Sequence, residues 1–150
     1  MIEKDENAEL LFPYLTEVMI TAQLVSNAFE KRLPGAMTMA QFGVLNHLTR
    51  LGKPQAPVDI ARAMQVRKST MTSTLGTLLR AGHISIAPSE TDGRAKVVSI
   101  TEAGRQARAQ AIINMEPEIR QISAQLTPGA LAGSLPQLRA LRKILDDRRN

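Results

Sequence analysis

The sequence contains no cysteine and no tryptophan, and only one tyrosine and three phenylalanines in 150 residues. Without cysteine there are no disulfides, thiolate metal sites or thiol redox switches, as suits a reducing cytoplasm. With so few aromatics the core has to be aliphatic, and the Leu, Met, Ala, Val and Ile that remain favour helices. Long apolar runs are missing as well. No apolar stretch comes near the roughly 18 residues of a membrane span, so none is expected to cross a membrane, and the acidic start "MIEKDENAELLF" does not read as a secretory signal. Acidic charge is scarce beyond that start. Residues 1–37 carry a net charge of −3, residues 38–105 carry +5 and residues 106–150 carry +3, for +5 overall. A basic middle behind an acidic start points to a polyanionic partner for the middle. At 43% apolar and 22% charged, the composition is that of a folded soluble protein, either an ordinary single domain or a small bipartite chain.

The signatures of catalysis are also thin. The only histidines, His47 and His83, fall in different elements. No glycine-rich phosphate loop and no G-x-S-x-G turn follows a strand. A zinc site from the two histidines with Asp59 or Glu90 would need an accident of folding. The sequence therefore reads as a binding protein rather than an enzyme, with no metal and no obligate cofactor.

Several helices can be placed. From Asn7 to Arg32, Leu10, Leu11, Tyr14, Leu15, Val18, Ala22, Val25 and Phe29 recur at helical spacing, and Pro34–Gly35 ends the run. Thr38 with Gln41 forms a capping box for a second helix striped by Phe42, Leu45, Leu48 and Leu51 and closed by Gly52. Pro57 opens a short third helix, and a fourth covers residues 66–81. Ile84 and Ile86, then Val97 followed by Ser99, or Val98 with Ile100, alternate around the turn "PSETDG", which predicts a β-hairpin with a long polar tip. A fifth helix begins at Thr101 and runs to about Leu126, with Pro117 kinking or breaking it. Thr127–Pro128 predicts the cap and first turn of a sixth, which carries Leu131, Leu135, Leu138, Leu141 and Leu145. The order α-α-α-α-β-β-α-α is that of a winged helix-turn-helix with extra terminal helices.

The fourth helix is the informative one. Met71, Leu75, Leu78 and Leu79 form its core stripe, and Ser69, Ser73, Gly76, Thr77 and Arg80 lie opposite, flanked by Thr70 and Thr72. Exposed helix faces are ordinarily built from Glu, Lys and Gln, because Ser and Thr are poorer helix formers. Short hydroxyl side chains instead allow close approach to a surface and bond phosphates or base edges. Arg67 and Lys68 stand at the helix start, where anions are favoured. An external phosphate, met by the free N–H groups, would reverse that penalty. Arg94 and Lys96 on the hairpin tip would supply a wing, with Asp92 placed to hold Arg94. The plain alternative is a solvated helix and a solvated turn arginine.

These residues resemble the MarR (multiple antibiotic resistance regulator) family of winged-helix transcription factors. "MTMAQFGVLNHL" is similar to its second-helix motif, "VDIARAMQVRKSTMTSTLGTLLRAGHI" to its helix-turn-helix, and "DGRAKVVSITEAGR" to its wing signature. The resemblance implies a cytoplasmic, mainly α, homodimeric regulator without membrane contact, more often a repressor than an activator. Residues 1–36 and 118–150 would be dimerisation helices, and 37–117 a DNA-binding domain with its linking helix. Double-stranded DNA would be bound at a pseudo-palindromic operator. DNA contacts would fall on Arg67, Lys68, Ser69, Thr70, Thr72, Ser73, Arg94 and, from the exposed faces, Thr77 and Lys96. The chain departs from the family pattern at Arg67, where the family has a helix cap, at Ser73, at Ser85–Ala87 and at Gly93, which implies an altered affinity or site. A small aromatic or phenolic effector is implied between the dimer helices and the winged unit, near Tyr14, Met37, Met39, His47 and Arg50. For four of these the alternatives are core packing for Tyr14 and Met39, solvent exposure for Arg50, and a surface or hydrogen-bonded role for His47. A winged-helix module that binds RNA or protein without operator recognition is the competing function.

Overall fold

The computed structural model describes residues 5–149 as eight elements: α1 (Glu6–Glu30), α2 (Met39–Leu51), α3 (Pro57–Met64), α4 (Lys68–Arg80), β1 (Ile84–Pro88), β2 (Lys96–Ile100), α5 (Glu102–Ser123) and α6 (Ala130–Asp147). The chain divides into two compact units, residues 1–116 and 117–150. The expectation about the first residues of the chain falls partly on 1–4, outside the described residues.

In the first unit, local chemistry sets the ends of each helix. Thr38 and Gln41 form the capping box of α2, and Gly52, at φ 65°, stops it. Pro57 occupies the first turn of α3, where its missing N–H costs nothing. Gln65 then adopts the left-handed region at φ 55°, and its side-chain amide donates to the Arg62 carbonyl at 2.8 Å. This is the tight turn between α3 and α4. The other end of α4 is a Schellman closure. The His83 N–H reaches the Leu78 carbonyl and the Gly82 N–H reaches that of Leu79, each at 3.0 Å, with Gly82 at φ 74°.

The aliphatic core forms where the stripes converge: Val44, Leu45 and Leu48 of α2, Ile60 and Ala61 of α3, Met71, Leu75 and Leu78 of α4, Ile84 of β1 and Val98 of β2. Leu79, read as belonging to the α4 stripe, lies at its margin and is 45% exposed. The antiparallel ribbon pairs Ile84 with Ile100 and Ile86 with Val98, so Val98 and Ile100, not Val97, share the face of Ile84. Gln55 adds an isolated bridge to Val98, a pairing the sequence did not disclose. Where β2 enters α5, the Thr101 hydroxyl donates to the Gly82 carbonyl at 2.6 Å and accepts from the Gly104 N–H at 3.1 Å. A Cβ at Gly104 would overlap the His83 carbonyl oxygen.

Helix α1 has no fully buried residue, and Phe12 and Met19 are 77% and 63% exposed. It also corrects the expectation drawn from apolar runs. By length and composition alone it is apolar enough to cross a membrane. Polar side chains interrupt the helix, among them Glu17 and the mutually bonded Gln23 and Asn27.

α5 is assigned as one helix through Pro117. In the second unit, the expected Thr127–Pro128 cap is replaced by a turn. The Ala130 N–H bonds the Thr127 carbonyl at 3.1 Å, and Gly129 sits at φ 81°, ψ −8°. Proline followed by a left-handed glycine is the type II turn signature, so α6 starts at Ala130. Leu131, Leu135, Leu138 and Leu145 on α6 are exposed.

Candidate nucleic-acid interface

The start of α4 is bare. Its N-cap is Arg67, which makes no side-chain capping bond, and no acidic residue occupies the first turn. The Met71 N–H is the first to bond back into the helix, at 3.0 Å to the Arg67 carbonyl. The preceding N–H groups of the first turn are therefore open to an external acceptor. Arg67 and Lys68 are exposed, and among the described residues neither forms an ion pair.

The hydroxyls divide into two sets. Thr72, Thr74 and Thr77 donate to the carbonyls four residues back, of Lys68, Thr70 and Ser73, at 2.9, 3.1 and 3.2 Å. Their protons are spent within the helix, and only their lone pairs remain for a partner. Thr77 additionally accepts from Nη2 of Arg80 at 3.2 Å. Of the helix residues singled out from sequence, it is the one most engaged internally. Ser69, Thr70 and Ser73 are exposed, with hydroxyls that bond no described residue. Exposed Thr72 sits among them.

At the wing tip, the Ser89 hydroxyl accepts from the N–H groups of Thr91 and Asp92, and the Asp92 carboxylate accepts from the Arg94 N–H at 3.1 Å. Asp92 thus fixes the backbone of Arg94, not its guanidinium. The Arg94 and Lys96 side chains are exposed and make no ion pair with a described residue.

Between these elements lies a cleft of about 360 Å³. Its walls include Pro57 and Val58 of α3, Met71 and Thr72 of α4 and Ala95 before β2, with Lys68 of α4 and Lys96 of β2 contributing one cation each. A smaller cleft of about 230 Å³ lies by Thr49, Lys53, Ser99 and Arg105. Neither is lined by Tyr14, Met37, Met39, His47 or Arg50. Met37 is buried in the core and Met39 packs against it, while Tyr14 lies on α1 and is 44% exposed. His47 is buried and bonds Gln55, and exposed Arg50 faces its ring. Among the described residues, no three His, Asp or Glu side chains gather as metal ligands.

Residues 37–95 match a family model described as "MarR family". The transcriptional activatory protein BadR of Rhodopseudomonas palustris is 32% identical over 71 residues, a stretch covering 46% of this chain and 41% of BadR. The match therefore spans less than half of that relative. Among solved structures, the transcriptional regulator BldR from Sulfolobus solfataricus superposes with a TM-score of 0.76 at 19% identity, over 97% of this chain and 99% of that one. A cysteine-to-serine mutant of MarR from E. coli, complexed with operator DNA, superposes with a TM-score of 0.72 at 23% identity, over 92% and 99%. The likeness of fold thus extends well beyond the matched sequence.

Proposed function

Taking as premise that residues 37–95 of this chain belong to the MarR family of transcriptional regulators, we propose that the protein is a cytoplasmic homodimer that represses transcription by binding a pseudo-palindromic operator. The regulator class, as opposed to an enzyme, follows from the family itself. The operator, the dimer and the sign of regulation are our reading.

One observation carries it. α4 offers an uncapped N-terminus, two cations without ion pairs and three uncommitted hydroxyls on one exposed end. Such an end repels nothing anionic and supplies what a phosphate needs. Laid in a major groove, it would anchor on phosphates through Arg67 and Lys68 and meet base edges with Ser69, Thr70, Thr72 and Ser73. Arg94 at the wing tip suits the negative potential of a narrow minor groove. The exposed apolar residues of α1 and α6 would be covered by a second copy, and the two α4 helices of such a dimer would enter successive grooves about 34–36 Å apart. Burial against a second copy also accounts for the mean hydropathy of α1 without a bilayer, whose core would have to accommodate Glu17, Gln23 and Asn27.

An effector fits the same surface. The cleft between α3, α4 and the wing has apolar walls and two lysines, one shared with each DNA-reading element. We infer an aromatic carboxylate or phenolate as its occupant. Pairing with Lys68 and Lys96 would withdraw cations from phosphate contacts and release DNA.

The test is the salt dependence of binding to duplex DNA. The logarithm of affinity should fall linearly with the logarithm of salt concentration, and the slope should become shallower by about one for each of Arg67→Ala and Lys68→Ala. Affinity that ignores salt, or slopes that do not change, would refute the assignment.

A further inference from the structure

The buried polar side chain in the first unit's core lies outside the interface just described. His47 of α2 is 9% exposed. Its Nε2 is 3.0 Å from Oε1 of Gln55, and its Nδ1 is 3.4 Å from Nη2 of Arg50. A guanidinium only donates and an amide oxygen only accepts, so both contacts are hydrogen bonds when the proton sits on Nε2. Gln55 is also held through its backbone. Its N–H donates to the Val98 carbonyl at 3.0 Å, and its carbonyl accepts from the Val98 N–H at 2.8 Å. Val98 is completely buried, at the centre of β2. One residue in the loop before α3 therefore joins α2 to the wing strand by three hydrogen bonds.

Ile84 and Val98 seat the ribbon on the core, but among the described residues only Gln55 hydrogen-bonds β2 from outside the ribbon. The ribbon has two strands of five residues each, and isolated two-stranded ribbons are marginal in water. Lys96 begins the strand that Gln55 grips, and Arg94 precedes it by two residues. Whatever fixes Val98 sets the direction in which both cations leave the body of the unit. An apolar side chain at residue 55 would keep the backbone bridge but lose the link to α2.

We propose that Gln55 and His47 are positioning residues for the wing. Their hydrogen bond holds β2 at the angle from which Arg94 and Lys96 reach DNA, without touching DNA itself. The inference rests on the DNA-binding reading above.

The test is a double-mutant cycle on the full chain, using the duplex recovered from random DNA by selection with the unaltered protein. Gln55→Leu should weaken binding about tenfold in an intact wing and less than about twofold when Arg94→Ala and Lys96→Ala are already present. His47→Leu cuts the same bond from the other end and should reproduce the pattern, with far-UV circular dichroism establishing that each variant folds. A loss of equal size in both wing backgrounds would show a general structural defect and overturn the proposal. Hydrogen exchange at the Val98 N–H supplies a readout that needs no DNA. Exchange should be faster in Gln55→Leu, and unchanged exchange overturns the proposal. If no duplex is recovered at all, the regulator reading has failed, and the exchange measurement still decides whether Gln55 and His47 hold the strand.

Discussion

Gly76 sits mid-helix on the outward side of α4, with nothing closer to its added Cβ than the Arg80 guanidinium at 3.5 Å. Alanine there fits the free protein. Gly76→Ala should raise stability by about 0.8–1 kcal/mol, the helix-propensity difference, and thermal unfolding would show it as a rise of roughly 2–4 °C. The same methyl stands on the face proposed to lie against DNA, so affinity should fall in a parallel titration. A gain in both properties would mean that this face approaches nothing closely. Thr72→Ala and Ser73→Ala should each change preference among operator variants by roughly 1–3 kcal/mol if their oxygens meet base edges, measured by competition with single-base changes. The unusual Ser/Thr content of this helix was legible in the sequence. The division of its hydroxyls was not, because it depends on rotamers: Thr77 spends its proton on the Ser73 carbonyl and accepts from Arg80, while Ser73 stays open.

The junction of α4, the ribbon and α5 shows how elements hold one another. Gly82 lets α4 stop, Thr101 bonds its carbonyl, and Gly104 passes against the His83 backbone where no Cβ fits. Gly104→Ala should destabilise the protein by about 1–3 kcal/mol, the usual cost of overpacking, read as a lower denaturant midpoint at unchanged slope. An unshifted midpoint would show that α5 can move away without cost. Capping residues made most helix ends readable in advance, including Thr38, Gly52 and Pro57. The start of α6 was misread because Thr-Pro is ambiguous. It begins a helix when proline takes the first turn, and a type II turn when a left-handed glycine follows, as Gly129 does at φ 81°. The Gln55 bridge was hidden for a different reason: a single residue paired with a strand far along the chain leaves no periodicity to detect.

On the scale of the whole molecule, the winged unit buries its own core, whereas α1 and α6 keep apolar residues exposed. The stripes themselves were visible as helical repeats of Leu, Val, Tyr and Phe in α1 and of Leu in α6. What covers them was not, since a partner chain leaves no mark distinguishable from an internal core. If a second copy covers them, Leu131→Asp with Leu138→Asp should shift the protein from dimer to monomer in sedimentation equilibrium, and cost far more affinity for an inverted repeat than for a half-site. Persistence of the dimer would place the contact elsewhere. The proposed regulator is a dimer presenting two α4 helices to one face of a duplex. The measurement that tests this most directly is selection of bound sequences from random duplex DNA at moderate salt. The account predicts an inverted repeat whose half-sites are centred about 10–10.5 base pairs apart. Recovery of no enriched sequence, or of single-stranded RNA in preference to duplex in a matched pool, would contradict it.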